Sequence, residues 1–189
     1  MKNRLFSILI LITAIIFISG CLTVEKKEYK VKLTGPTSGR GTIKYINIVS
    51  QKDDGKDVSM KDFAELITDY IEGDKVKNDF PGISNVNKKI FEENGVLCAE
   101  FSFDFDSLHQ IKLFKYDTDS PYMLMVKESF SNEEYEESDG EYNINNMPII
   151  FWKKFTKAFY WKTKMSGDMS NTIGLLDQYK SWEKSKKNK

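Results

Sequence analysis

Ile90-Phe91-Glu92-Glu93-Asn94-Gly95-Val96-Leu97-Cys98-Ala99-Glu100-Phe101 reads as strand, two-residue turn, strand. Asn-Gly tolerates the positive φ that a type I′ turn demands at both central positions, and the twist of that turn matches the strands it joins. Centred on Asn94-Gly95, the register sets Glu93 opposite Val96, Phe91 opposite Cys98, Ile90 opposite Ala99 and Lys89 opposite Glu100. The last pair is opposite in charge, as cross-strand neighbours prefer. Side chains alternate along a strand, so Leu97, Ala99, Phe101, Phe103 and Phe105 share one face, while Cys98, Glu100, Ser102 and Asp104 share the other. The apolar face must be buried, which predicts an antiparallel sheet with one covered face.

Outward from the hairpin the same period continues. Tyr29, Val31 and Leu33 alternate with Lys30 and Lys32, Gly35-Pro36-Thr37-Ser38-Gly39 breaks the run, and Ile43, Tyr45, Ile46, Ile48 and Val49 resume it. That glycine-rich turn lacks a Lys-Ser or Lys-Thr pair and precedes a strand, so it is a hairpin loop and no phosphate cradle. Ser59 is placed to cap a helix with Asp62 in its first turn, and Val58 with Phe63 can form a staple. Phe63, Leu66, Ile67, Tyr70 and Ile71 make one apolar face, and Gly73 ends the helix. Downstream, Asp106-Ser107-Leu108 predicts a single helical turn, and residues 113–116 and 122–130 predict strands around an Asp117-Thr118-Asp119-Ser120-Pro121 turn. Residues 147–165 read as two strands joined at 153–157, aromatics inward and lysines outward, and 170–186 reads as a helix with Ser170 as its cap. The expected fold is α+β: a largely antiparallel sheet of six to eight strands, with helices 59–72 and 170–186 packed on one face.

Twenty-eight basic residues balance 28 acidic ones, which gives no nucleic-acid footprint. Aromatics interleaved with lysines over 151–164 could stack bases, but buried strands account for the same residues. No cofactor or metal motif is present, and His109 has no second His, Cys or Ser in a catalytic or zinc arrangement. Glu100, Asp104 and Asp106 are the only carboxylates on which an enzyme could be built, and a solvated strand face explains them equally well. The block of Glu133, Glu134, Glu136 and Glu137 with Asp139 and Glu141 reads as the longest loop, and loops on a rigid sheet are where partners bind. Those four glutamates are the expected partner surface.

The chain opens with Lys2 and Arg4, an apolar run from Leu5 to Ile18, and then Ile18-Ser19-Gly20-Cys21. A basic start, a short apolar core and small residues before a cleavage point mark a secretory leader. The four closing residues resemble the lipobox of the bacterial lipoprotein class. That resemblance implies cleavage before Cys21, a diacylglyceryl thioether on its sulfur and acylation (palmitate-type) of the new amino terminus. Residues 1–20 are then a removed signal peptide, 21–27 a lipidated tether, and 28–189 a single domain. The resemblance also implies a membrane-anchored place in the cell envelope, at the outer membrane in a diderm cell or on the outer face of the plasma membrane in a monoderm one. With Cys21 consumed by lipid, Cys98 has no disulfide partner and is expected to be buried. The strand-rich pattern and Met165-Ser166-Gly167-Asp168 resemble the LppM-like lipoprotein domain, a likeness that implies no site residues. The function expected is non-catalytic binding of an envelope protein, glycan or lipid. Its alternative is a carrier or sensor that holds an apolar ligand in a cavity between sheet and helices.

Overall fold

The computed structural model describes residues 22–129, 132–144 and 148–188. In chain order its strands are β1 (Leu22–Leu33), β2 (Gly39–Gln51), β3 (Ser84–Glu93), β4 (Val96–Phe105), β5 (Tyr122–Met125), β6 (Glu133–Ser138), β7 (Glu141–Asn143), β8 (Ile149–Trp152), β9 (Ala158–Met165) and β10 (Thr172–Gly174). The helices are α1 (Ser59–Glu65), running on into a π-helical segment (Leu66–Glu72), then α2 (Lys75–Asp79), α3 (Val126–Ser129) and α4 (Leu176–Lys187). The fold is α+β. A seven-stranded antiparallel sheet has the order β3-β4-β2-β1-β9-β6 with β10 added to β2, and a smaller sheet has the order β5-β8-β7.

The hairpin has the register that its sequence dictates: Glu93 pairs with Val96, Phe91 with Cys98, Ile90 with Ala99 and Lys89 with Glu100. Asn94 and Gly95 take φ of 52° and 77°, the left-handed pair of a type I′ turn. Lys89 and Glu100 meet at 2.7 Å, and Leu97, Ala99, Phe101, Phe103 and Phe105 are all buried.

Two layers close that inner face. The small sheet covers one half, burying Leu124, Ile150 and Trp152 against Tyr29, Val31, Phe159 and Trp161. The helices cover the other half, burying Phe63, Leu66, Ile67 and Tyr179 against Val24, Ile48, Leu97 and Phe101. Tyr45, Phe80 and Val86 pack against both cores. Near this boundary β1 and β2 change facing together: Lys27 and Tyr45 pair at one level, Val24 and Ile48 at the next, and Asn47 between them has φ of 56°. Asn accepts the left-handed region more readily than most residues, so the strands twist there without breaking.

Several sequence expectations are corrected. Residues 22–27 are no tether, because β1 begins at Leu22, which pairs with Ser50, and Lys26 and Lys27 are paired on both sides. The two strands expected over 147–165 exist but belong to different sheets, and Phe155 between them is 80% exposed instead of facing inward. Residues 113–116 form only the single bridge Phe114–Met123, and 126–129 turn helical after β5. The last helix starts at Leu176, not at residue 170, because β4 pairs with β2 only as far as Tyr45 and leaves the edge at Val49–Gln51 open. Residues 172–174 fill that edge as β10. Ser59 lies inside its helix: the Asp57 carboxylate accepts from the Ser59 amide at 2.9 Å, and Asp62 turns inward to accept from Ser50 Oγ at 2.6 Å.

Candidate functional site

Along β1, Lys27 and Tyr29 both point to the inner face, as does Thr163 on the neighbouring β9. β6 pairs with β9 so that Glu133 lies opposite Met165, and this brings the Glu133 carboxylate beneath the sheet, 7% exposed. There it accepts from Lys27 Nζ at 2.5 Å, Thr163 Oγ1 at 2.5 Å and Tyr29 Oη at 2.8 Å. A buried carboxylate is tolerated when it is paired and its lone pairs are filled, and here one cation and two hydroxyls fill them. Burial, reinforced by the Glu133 charge, raises the Tyr29 hydroxyl well above the usual phenol range. Burial likewise raises Tyr45, whose ring lies 5.7 Å from Lys27 Nζ.

This polar cluster borders a cavity of about 300 Å³ between the sheet and the helices. Val24, Ile48, Leu66, Phe101 and Met165 give it apolar walls, while Lys27, Tyr45 and Asp79 bring polar groups to it. Leu66 and Tyr70 enter from the π-helical segment. Such widened turns recur at functional sites because the extra residue per turn re-aims side chains. Leu22 and Thr23, the first residues of β1, also line the cavity.

The expected partner surface of Glu133, Glu134, Glu136 and Glu137 is not a loop. It is the edge strand β6, bulged between Tyr135 and Glu137. Glu133 faces inward, and the other three are engaged across strands. Glu134 meets Lys164 at 3.2 Å, Glu136 meets Lys26 at 2.7 Å and Lys162 at 3.6 Å, and Glu137 accepts from Tyr160 Oη at 2.5 Å. Burial pushes the Glu136 carboxyl up, but the Lys26 hydrogen bond and the charges of both lysines outweigh it and hold the group below the usual carboxylate range. A signal for this strand was available. Lys26 and Lys27 on one strand and Lys162 and Lys164 on another need acidic partners, and the glutamates supply them.

The remaining candidates do not converge. Glu100 pairs with Lys89, and Asp104 with Arg40 at 2.9 Å and Asn85 at 2.8 Å, on the outer face of the sheet. The Arg40 and Asn85 hydrogen bonds hold the Asp104 carboxyl below its usual range. Asp106 engages Gln110 through its backbone amide, and His109 is exposed. Cys98 is fully buried, and burial raises its thiol. Asp117 accepts from the Asp119 and Ser120 amides and from Ser120 Oγ, which accounts for it as a turn residue. Among the described residues no group of three His, Cys, Asp or Glu side chains could hold a metal ion. No helix among them is long and apolar enough to cross a membrane. Cys21 and the leader lie outside the described residues. No protein-family model, curated protein or solved structure matches the chain.

Proposed function

We propose that this chain is an envelope lipoprotein, anchored through Cys21, that works by binding rather than by chemistry. The observation carrying the anchor is the leader ending in Ile18-Ser19-Gly20-Cys21, and two or more acyl chains hold a protein on a bilayer where one is marginal. The binding reading is supported by what the carboxylates do: Glu100 and Asp104 are spent on cross-strand pairs, and Glu133 on a closed network with Lys27, Tyr29 and Thr163. Expression of the full chain with labelled palmitate tests the anchor. The wild type takes up label and fractionates with membranes; Cys21→Ala leaves an unlabelled precursor. Labelled, membrane-bound Cys21→Ala protein would sink the reading.

A second reading is favoured by one observation, the cavity of about 300 Å³, which is the lower end of the range for small-molecule sites, ~300–1,000 Å³. On it the anchored domain is a carrier or sensor for an apolar ligand.

A further inference from the structure

We propose that the cavity takes the tail of a single-chain amphiphile whose head is uncharged and hydrogen-bonding, the monoacylglycerol class. The proposal rests on the carrier or sensor reading and names its ligand.

Size sets the tail. At the ~30 Å³ that a water-sized group occupies in a liquid, 300 Å³ holds about ten such groups, enough for one medium chain and too little for two. The walls at Val24, Ile48, Leu66 and Phe101 are hydrocarbon and aromatic, so a tail exchanges water for an apolar surround.

Charge sets the head. Lys27 is the cation at the cavity, and it is already paired with Glu133 at 2.5 Å. Asp79 is exposed and makes no ion pair among the described residues, so the charge left uncompensated along the cavity lining is negative. A carboxylate or phosphate head would lie against that charge; a glycerol hydroxyl can donate to it. Position sets the source. Leu22 and Thr23 line the cavity, so it lies beside the end of the domain that the proposed anchor ties to the membrane.

The test uses the full lipidated chain in phosphatidylcholine vesicles, with photoactivatable 1-decanoylglycerol and photoactivatable decanoic acid as probes, and maps the labelled peptides by mass spectrometry. The monoglyceride is expected to label the segments carrying Leu66 and Phe101, about fivefold above decanoic acid, the ratio that one unit charge near 4 Å gives in water. Asp79→Lys changes only an exposed side chain; with its melting temperature unchanged, it should reverse the preference toward decanoic acid. Labelling spread over the outer surface, or a preference indifferent to Asp79→Lys, overturns the proposal. Vesicle flotation separates the two readings. Protein that floats but is unlabelled at the cavity keeps its anchor and refutes the ligand, whereas protein that stays in solution yet is labelled at Leu66 and Phe101 keeps the ligand and refutes the anchor.

Discussion

The two halves of the inner sheet face share strands β1, β2 and β4 but close differently. Under the small sheet the rings lock together: Tyr29 stacks on Trp161 at 4.8 Å, Trp152 meets Phe159 edge-on at 5.4 Å, and the void among Tyr29, Ile43, Phe103 and Trp161 is only about 20 Å³. Under the helices the void is about 300 Å³. Two pleated surfaces interdigitate at near-constant spacing. A helix with a π-helical turn lying over a sheet whose facing inverts at Asn47 cannot match it residue for residue. The first half is therefore the more tightly packed, and the second leaves a cavity.

Breaking the tight half should cost most. Trp161→Ala removes a ring that is 1% exposed, stacked on Tyr29 and met edge-on by Trp152, and is expected to lose about 3–5 kcal/mol in urea unfolding. A loss below about 1 kcal/mol would mean that the half is loosely packed. A paired addition sharpens the contrast. A Cβ at Gly41 would sit 2.6 Å from the Phe103 ring, so Gly41→Ala should cost about 1–3 kcal/mol. Ala99→Val pushes its methyls toward the larger cavity and should leave stability unchanged or raise it by about 0.5 kcal/mol. Equal penalties for the two would erase the distinction.

Glu133→Gln probes the boundary between the halves. It removes the charge facing Lys27, and because the Lys27 side chain is 21% exposed, the expected loss is about 1–2 kcal/mol rather than that of a fully buried pair. A neutral result in thermal and urea melts would reduce the network to decoration.

The smallest effect is in pH dependence. Burial and then the Glu133 charge raise the Tyr29 hydroxyl, so its folded pKa lies above its unfolded one. The stability that it contributes is intact below about pH 10 and falls as pH rises toward the folded value. Tyr29→Phe loses the Glu133 hydrogen bond at every pH but should flatten the stability slope between about pH 10 and 11. Parallel wild-type and variant slopes would exclude Tyr29 as the group responsible.

Local chemistry made the hairpin legible. Asn94-Gly95 and the five alternating apolar residues of β4 state turn, register and face without help from the rest of the chain. The helix of residues 59–72 was legible for the same reason, though its π-helical half was not, since nothing in Leu66–Glu72 distinguishes the two ladders. What stayed hidden depends on distant partners. The Glu133 block resembles a solvated loop until Lys26, Lys27, Lys162 and Lys164 are known to flank it. Residues 172–174 become a strand only because β2 outruns β4. A cavity between sheet and helices could be named as a possibility from the aromatic excess, but the Glu133 cluster beside it needed β6 in place.

The start of β1 at Leu22 has a mechanical consequence. β1 lies between β2 and β9, antiparallel to each, and is paired with β2 along nearly its whole length. Interstrand hydrogen bonds run perpendicular to the strands, so a pull entering at Leu22 along the strand loads many of them at once in shear, instead of opening them one at a time. Under the proposed anchor, drag on the domain would be met along the strands rather than across them, and force-spectroscopy traces pulled from residue 22 should show a higher rupture force than traces pulled across the β6 edge.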